Sequence, residues 1–456
     1  MCRPFLARAA GFFLALGVSP VAVADEQSDR IKALEQRLES SVKLIEKLSA
    51  RITELERGSA AARAVAASAS ASASVTDAVP ARQAQQAQEL AELQESVNQL
   101  STSLGTRDHE LGLPLHGFAD AGAAWSGGPD PIKLRGFSVG SVDLYLTPQF
   151  GDRVKSLAEI VFEFDRNGTG TTDLERLQLG YTVSDELTVW LGRFHAPFGL
   201  WNTYFHHGAN LQTSIYRPRF IEFEDRGGVM PAHAVGLWAT GKTRLGAGRI
   251  TYDAYLSNGP AIRHREIDPN SYTDDNHGKL LGLNLGYQPG GLLSGLTLGV
   301  HGFGSRVNAY EASGAALSAI SLRVAGGYFG YDANEWEAIG EYYNFRNTES
   351  GTGLARSSNA WFIHIGRAFG SLTPYVRYER ASLNPHDTYF SAQRSGRSYE
   401  RGVLGTRYAL DARSSFKLEL SHTRESTLAQ FDEAGQLVQF TGVSYRRAAV
   451  QYSIAF

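Results

Sequence analysis

The sequence predicts an all-β transmembrane fold, a sixteen-stranded antiparallel outer-membrane barrel preceded by an α-helical coiled-coil segment. Three observations predict it. The chain opens on an export signal, residues 27–57 carry heptads, and from about Leu115 to Phe456 apolar residues recur with period two. Nowhere after the signal do 18 consecutive apolar residues occur. A membrane protein without such helices must close its sheet, because only a ring pairs every backbone group inside hydrocarbon.

Residues 1–24 read as a signal peptide. Arg3 and Arg8 flank the start, Ala9 to Val18 is a short apolar run, and Val21-Ala22-Val23-Ala24 supplies the small-residue cleavage pattern before Asp25. The run is far shorter than the roughly 20 residues of a membrane anchor. Cys2, the single cysteine, leaves with the signal, so the mature chain has no disulfide and no thiolate metal site. Arg3 and Arg8 leave too, and 42 basic residues then face 47 acidic ones, a net charge of −5. Nothing in that balance points to nucleic acid as a partner.

Residues 25–110 form the second region, a periplasmic stalk. Ile31, Leu38, Ile45 and Ile52 fall at one heptad core position; Leu34, Ser41, Leu48 and Leu55 fall at the other. That repeat is the pattern of a coiled coil, with Arg, Lys and Glu on its exposed face. Near 59–80 an Ala/Ser-rich linker has little large apolar surface to bury. Leu90, Leu93, Val97, Leu100 and Leu104 then resume helical spacing. A lone helix on the barrel floor or an intrachain hairpin fits the same spacing; assembly between protomers gives both runs a partner surface.

Residues 111–456 form the barrel. Val450, Tyr452, Ile454 and Phe456 alternate with Gln451 and Ser453, and Phe416, Leu418 and Leu420 alternate with Lys417, Glu419 and Ser421. Such alternation is the mark of a transmembrane barrel, lipid on one face and lumen on the other. The strands read as 115–126, 137–149, 154–165, 172–183, 187–196, 234–242, 246–257, 279–288, 293–306, 320–331, 335–346, 358–369, 372–383, 398–410, 414–424 and 439–456. Sixteen strands enclose an aqueous channel. The expected lumen wall includes Glu159, Glu163, Arg176, Gln178, Glu337, Glu341, Arg377, Glu379, Arg401, Arg407, Lys417 and Glu419. A dry core would make so many charges costly, and a water-filled bore does not.

The longest connection, 197–233, follows the fifth strand and is the third outer loop. Its aromatics suit packing against the inner wall. Folded inward, it narrows the bore, with Arg217, Arg219 and Arg226 drawing anions and Glu222, Glu224 and Asp225 drawing cations or pairing with wall arginines. His206 and His207 also lie there, but neighbours on an extended segment point apart, so no metal is expected even with His195 and His233 flanking the loop. Gly136-Phe137-Ser138-Val139-Gly140 has the letters of a nucleophile elbow, yet it opens a strand and no helix follows. No base and orienter accompany any serine, so an enzyme is not expected.

Gly192-Arg193-Phe194-His195-Ala196-Pro197-Phe198-Gly199 resembles the segment leading into the third loop of phosphate-selective porins of proteobacteria. The order of signal, heptads and barrel ending in Phe456 is similar to that of the related dicarboxylate-type porins with a periplasmic coiled coil. The matching positions are Gly192, Arg193, Phe194, Pro197, Phe198 and Gly199. The resemblance implies a sixteen-stranded barrel, a homotrimer, a constricting third loop and a preference for small anions; passive diffusion, outer-membrane lipid and lipopolysaccharide around the barrel, and no cofactor are expected with it. Arginines here are scattered among inward acids, so carboxylates stand beside phosphate as expected solutes. An adhesion or envelope-spacing barrel is the competing class, and a barrel hydrolase a third.

Overall fold

The computed structural model describes residues 115–130, 133–164, 170–205, 211–223, 228–263, 266–268, 276–310, 313–391, 396–426, 428–431, 437–440 and 442–456. The signal and the heptad segment lie outside them. Sixteen strands cross in sequence: β1 (Leu115–Gly127), β2 (Arg135–Leu146), β3 (Val154–Phe164), β4 (Gly170–Ser184), β5 (Leu187–His195), β6 (His233–Leu245), β7 (Gly248–Ser257), β8 (Leu280–Gln288), β9 (Leu296–Tyr310), β10 (Ala316–Ala333), β11 (Trp336–Glu349), β12 (Ala355–Arg367), β13 (Leu372–Ser382), β14 (Tyr399–Ala409), β15 (Ser414–Glu425) and β16 (Val443–Ala455). Each pairs antiparallel with the next, and β16 returns to β1 with Phe118 opposite Ala455 and Gly127 opposite Arg446. The ladder therefore closes, as the alternation predicts, and leaves no edge.

The outward face is apolar. Leu177, Leu179, Leu191, Leu237, Leu281, Val300, Val376, Leu404 and Leu418 are all exposed. An aromatic girdle flanks them on each side: Tyr287, Trp336, Phe369, Tyr408, Phe416 and Tyr452 at one rim, Trp125, Phe162, Phe164, Tyr342 and Tyr378 toward the other. A continuous apolar band between aromatic girdles is a surface made for hydrocarbon. The first rim carries the short turns; Asn334 and Glu335, both at positive φ, make a two-residue turn between β10 and β11. Both barrel ends lie at that rim. The long connections 196–232, 258–279, 383–398 and 426–442 leave the opposite one.

Two expectations need correction. The last strand begins at Val443, not 439, because Leu437–Phe440 pairs instead with Leu428–Phe431 in a separate two-stranded ladder. Period-two patterning continues through both pieces and cannot tell one ladder from another. The interior is also drier than its charges suggest. Phe194, Phe198, Trp201, Phe220, Ile221, Met230, Phe303, Tyr343, Phe345 and Phe390 form one buried cluster inside the ring. Inward wall residues and the long connections build it together.

Candidate functional site

The inward wall residues stand where alternation places them. Glu337 and Glu341 lie on β11, Arg377 and Glu379 on β13, Arg401 and Arg407 on β14, and Lys417 and Glu419 on β15. What fills the space before them is the connection from Ala196 to Ala232. The chain leaves β5 through Gly199, whose φ of +63° no side chain takes readily, and passes so close to β11 that a Cβ there would sit 2.2 Å from Glu341 Oε2. Glu341 Oε1 accepts the backbone N–H of Leu200 at 3.0 Å and of Trp201 at 2.5 Å. Trp201 then packs edge-on against Phe362 and His364, under the Arg377 guanidinium.

Further along, two more glutamates hold backbone. Glu419 Oε2 accepts from Ile215 N at 3.0 Å, Tyr216 N at 3.4 Å and the Tyr375 hydroxyl at 2.8 Å. Glu379 Oε2 accepts from Arg219 N at 2.8 Å. Lys417 Nζ donates to the carbonyls of Gln212 at 2.6 Å and Ser214 at 3.2 Å, and Thr213 donates to Glu337 at 2.7 Å. A single connection is thus tied to three wall strands through its own peptide groups, satisfying donors and acceptors that burial would otherwise leave unpaired.

The wall cations pair with acids behind this connection. Arg377 Nε donates to Glu379 Oε1 at 2.8 Å, Arg401 lies 3.6 Å from Glu419, and both guanidiniums are buried. Arg219 donates to Glu425 Oε1 at 2.5 Å and stacks over Tyr399. Burial works against the Arg219 charge, but Glu425, Tyr445 and Tyr399 together hold its pKa above the usual guanidinium value. Of the residues expected at a constriction, Arg217, Arg219 and Glu222 are placed; His206, His207, Glu224, Asp225 and Arg226 lie outside the described residues. Arg217 is 4 % exposed, donates to Asn202 Oδ1 at 2.6 Å, and lies 4.0 Å over the Phe223 ring. Asn202 in turn donates to the carbonyls of Ala196 and Ala232, joining the two ends of the connection.

The opposite wall faces open space. A cavity of about 240 Å³ lies between β1, β2, β3 and β16 on one side and the 212–223 stretch on the other. Among the described residues lining it, Asp120, Glu163 and Glu222 carry negative charge and Arg217 positive. Gly122, Ala124 and Ala449 leave the room. Asp120 accepts from Ser141 N at 3.3 Å and from the Gln451 amide at 3.0 Å, both neutral donors. Asp120 is not among the expected lumen residues; the polar-inward pattern of β16 points to Gln451, but nothing in sequence pairs it with Asp120.

Near the start and end of the connection, His195 and His233 do meet, their ring centres 5.3 Å apart. They serve carboxylates: His233 Nε2 lies 2.8 Å from Glu175 Oε2 and His195 Nε2 3.6 Å from Glu159 Oε2. Arg176 bonds Glu159, and Arg193 reaches Glu175 at 3.3 Å. Phe194 and Phe198 enter the buried cluster, and Gly192, at φ +134°, packs onto the Leu177 carbonyl. The segment that carries the resemblance is therefore structural, turning the chain from wall to lumen. Ser138 sits within β2, without the strand-to-helix turn an elbow needs.

No protein-family model matches the chain, and no curated protein matches it. Among solved structures it is similar to an anion-selective porin from Comamonas acidovorans, at 15% identity over 76% of this chain and 99% of that one, TM-score 0.49. It is similar also to outer-membrane expressed OmpT of Vibrio cholerae, at 11% identity over 75% and 97%, TM-score 0.47. The outer membrane channel DcaP of Acinetobacter baumannii gives 10% over 75% and 97%, TM-score 0.44.

Proposed function

We propose that the chain is an outer-membrane porin, a passive diffusion channel for small hydrophilic solutes with no chemical step. The observation that carries this reading is the pairing of a lipid-suited outer face with an open, charged cavity along β16–β1–β2–β3. The connection 196–232 sets the aperture, because it occupies the lumen on the β11–β15 side and leaves space on the other. Field and width at such a constriction set selectivity.

The resemblance implies small anions, carboxylates or phosphate. For the sign of the solute, the lining favours the opposite choice: Asp120, Glu163 and Glu222 face the cavity against Arg217, while Arg377 and Arg401 pair with wall glutamates and Lys417, beside Gln451, is spent on the carbonyls of Gln212 and Ser214. We therefore read the passage as preferring small cations. A homotrimer in lipid and lipopolysaccharide, with the 25–110 heptads as its periplasmic coiled coil, completes the proposal; alternation of apolar core positions gives those heptads a reason to assemble. The test is reconstitution of the full chain in planar bilayers under a potassium chloride gradient. Discrete conductance steps with a reversal potential of cation sign are expected, and Asp120→Asn with Glu222→Gln should bring that potential toward zero. Absence of steps would refute the channel; an anion-sign reversal would refute the preference alone.

A further inference from the structure

The outward face carries a feature that a bore does not require. Its band is apolar, yet at the long-connection end of β13–β16 charged residues point outward on adjacent strands. The register sets Arg380 opposite Glu400, Glu400 opposite Arg424, and, one row lower, His422 opposite Arg446. Arg380 and Glu400 approach to 3.6 Å with about half of each side chain exposed, a pair that contributes little by itself. Arg424 and Arg446 add two further positive charges and are exposed.

Depth is fixed by neighbours in the same rows. Trp361 stands opposite Arg380, and its ring lies 5.4 Å from that of Tyr378, one row down. Outward Trp and Tyr mark the level where hydrocarbon gives way to headgroups. The arginines thus sit at headgroup depth.

Beneath them runs a groove of about 730 Å³, open to the outside, with Trp125, Ala448, Leu420 and Leu404 side by side along one row. Its floor exists because Gly402 bears no side chain between Tyr378 and His422; a Cβ at Gly402 would meet nothing within 4 Å. An apolar trough capped by guanidiniums is complementary to one kind of molecule, an amphiphile with an anionic head and acyl tails. We propose that this face binds a phosphorylated, anionic lipid, acyl chain in the trough and phosphate against Arg446 and Arg424. Arginine suits the role, since its planar fork reaches two phosphate oxygens at once.

Trp125 makes the site measurable. The full chain is reconstituted in phosphatidylcholine vesicles doped with acyl-brominated phosphatidylglycerol, and in parallel with acyl-brominated phosphatidylcholine. Trp125→Phe isolates that residue's share of the fluorescence. Brominated phosphatidylglycerol is expected to quench Trp125 far more at equal doping, and Arg424→Gln/Arg446→Gln to reduce the preference by on the order of tenfold. Both substitutions face outward, so the conductance step should stay at the parent value and certify a folded barrel. Equal quenching by the two lipids, or a preference unchanged in the double variant, would overturn the proposal. So would a Trp125 that neither lipid quenches, the result if a second copy covers the groove.

Discussion

Glu419→Gln is the sharpest test of how the 196–232 connection is held against the wall. Glutamine keeps the volume of the side chain, so no cavity confuses the result, and it removes the charge. In the parent one carboxylate oxygen takes two backbone N–H groups of the connection and the Tyr375 hydroxyl, while the other faces Arg401 at 3.6 Å and Arg377 at 4.0 Å. Hydrogen bonds to an ionised acceptor are about twice as strong as neutral ones. Breaking a buried charge pair costs ~3–5 kcal/mol. That pair lies within the wall and is lost whether or not the connection is docked; docking itself loses the charge on the acceptor of the Ile215 and Tyr216 N–H groups, about 2 kcal/mol, which multiplies the undocked population of the connection about thirtyfold. The β15 ladder is built from backbone groups and should survive. Single-channel recording is the assay: the variant is expected to show larger steps and more open-channel noise. Identical step size and noise, from protein that still inserts, would refute the idea that wall carboxylates hold the connection in place.

Two further outcomes follow from the same geometry. Gly199→Ala should destabilise the turn, since the new Cβ would lie 2.2 Å from Glu341 Oε2 and 2.6 Å from the Tyr343 hydroxyl at a φ of +63°; raised conductance noise checks it, and parent-like noise would count against a docked turn. Asp387, in the 383–398 connection, accepts from Tyr389 N and the Asn347 amide at 3.0 Å each, and burial pushes its pKa up to about 6. A carboxyl whose pKa is raised on docking favours the docked form most when protonated, so docking should weaken as pH rises from about 4 through 6. Hydrogen exchange in residues 384–391 should therefore speed up over that range, and Asp387→Asn should flatten the dependence.

Much of the barrel was legible because β-structure writes itself locally. Phe416, Leu418 and Leu420 against Lys417, Glu419 and Ser421 state both the strand and its two faces, and the same holds round the ring to Val450 and Tyr452. Length alone marked 197–233 as an outer loop. The dry interior was not legible. Arg377 and Lys417 look like pore-lining cations when read alone, and alternation says only that they point inward. Whether water or protein meets them there depends on Trp201, Ile215 and Arg219, which are between 158 and 216 positions away in sequence.

The sequence by itself determined strand number, handed out each residue to lipid or lumen, and marked 197–233 as an outer loop, because period two acts between near neighbours. Only the tertiary structure decided which inward charges face the cavity. Asp120 meets Gln451 through closure of the ring, and Glu419 meets Ile215 through the folding of one connection across it. Both contacts come from chain segments whose approach no local pattern encodes, and buried polar groups must be paired by whatever arrives.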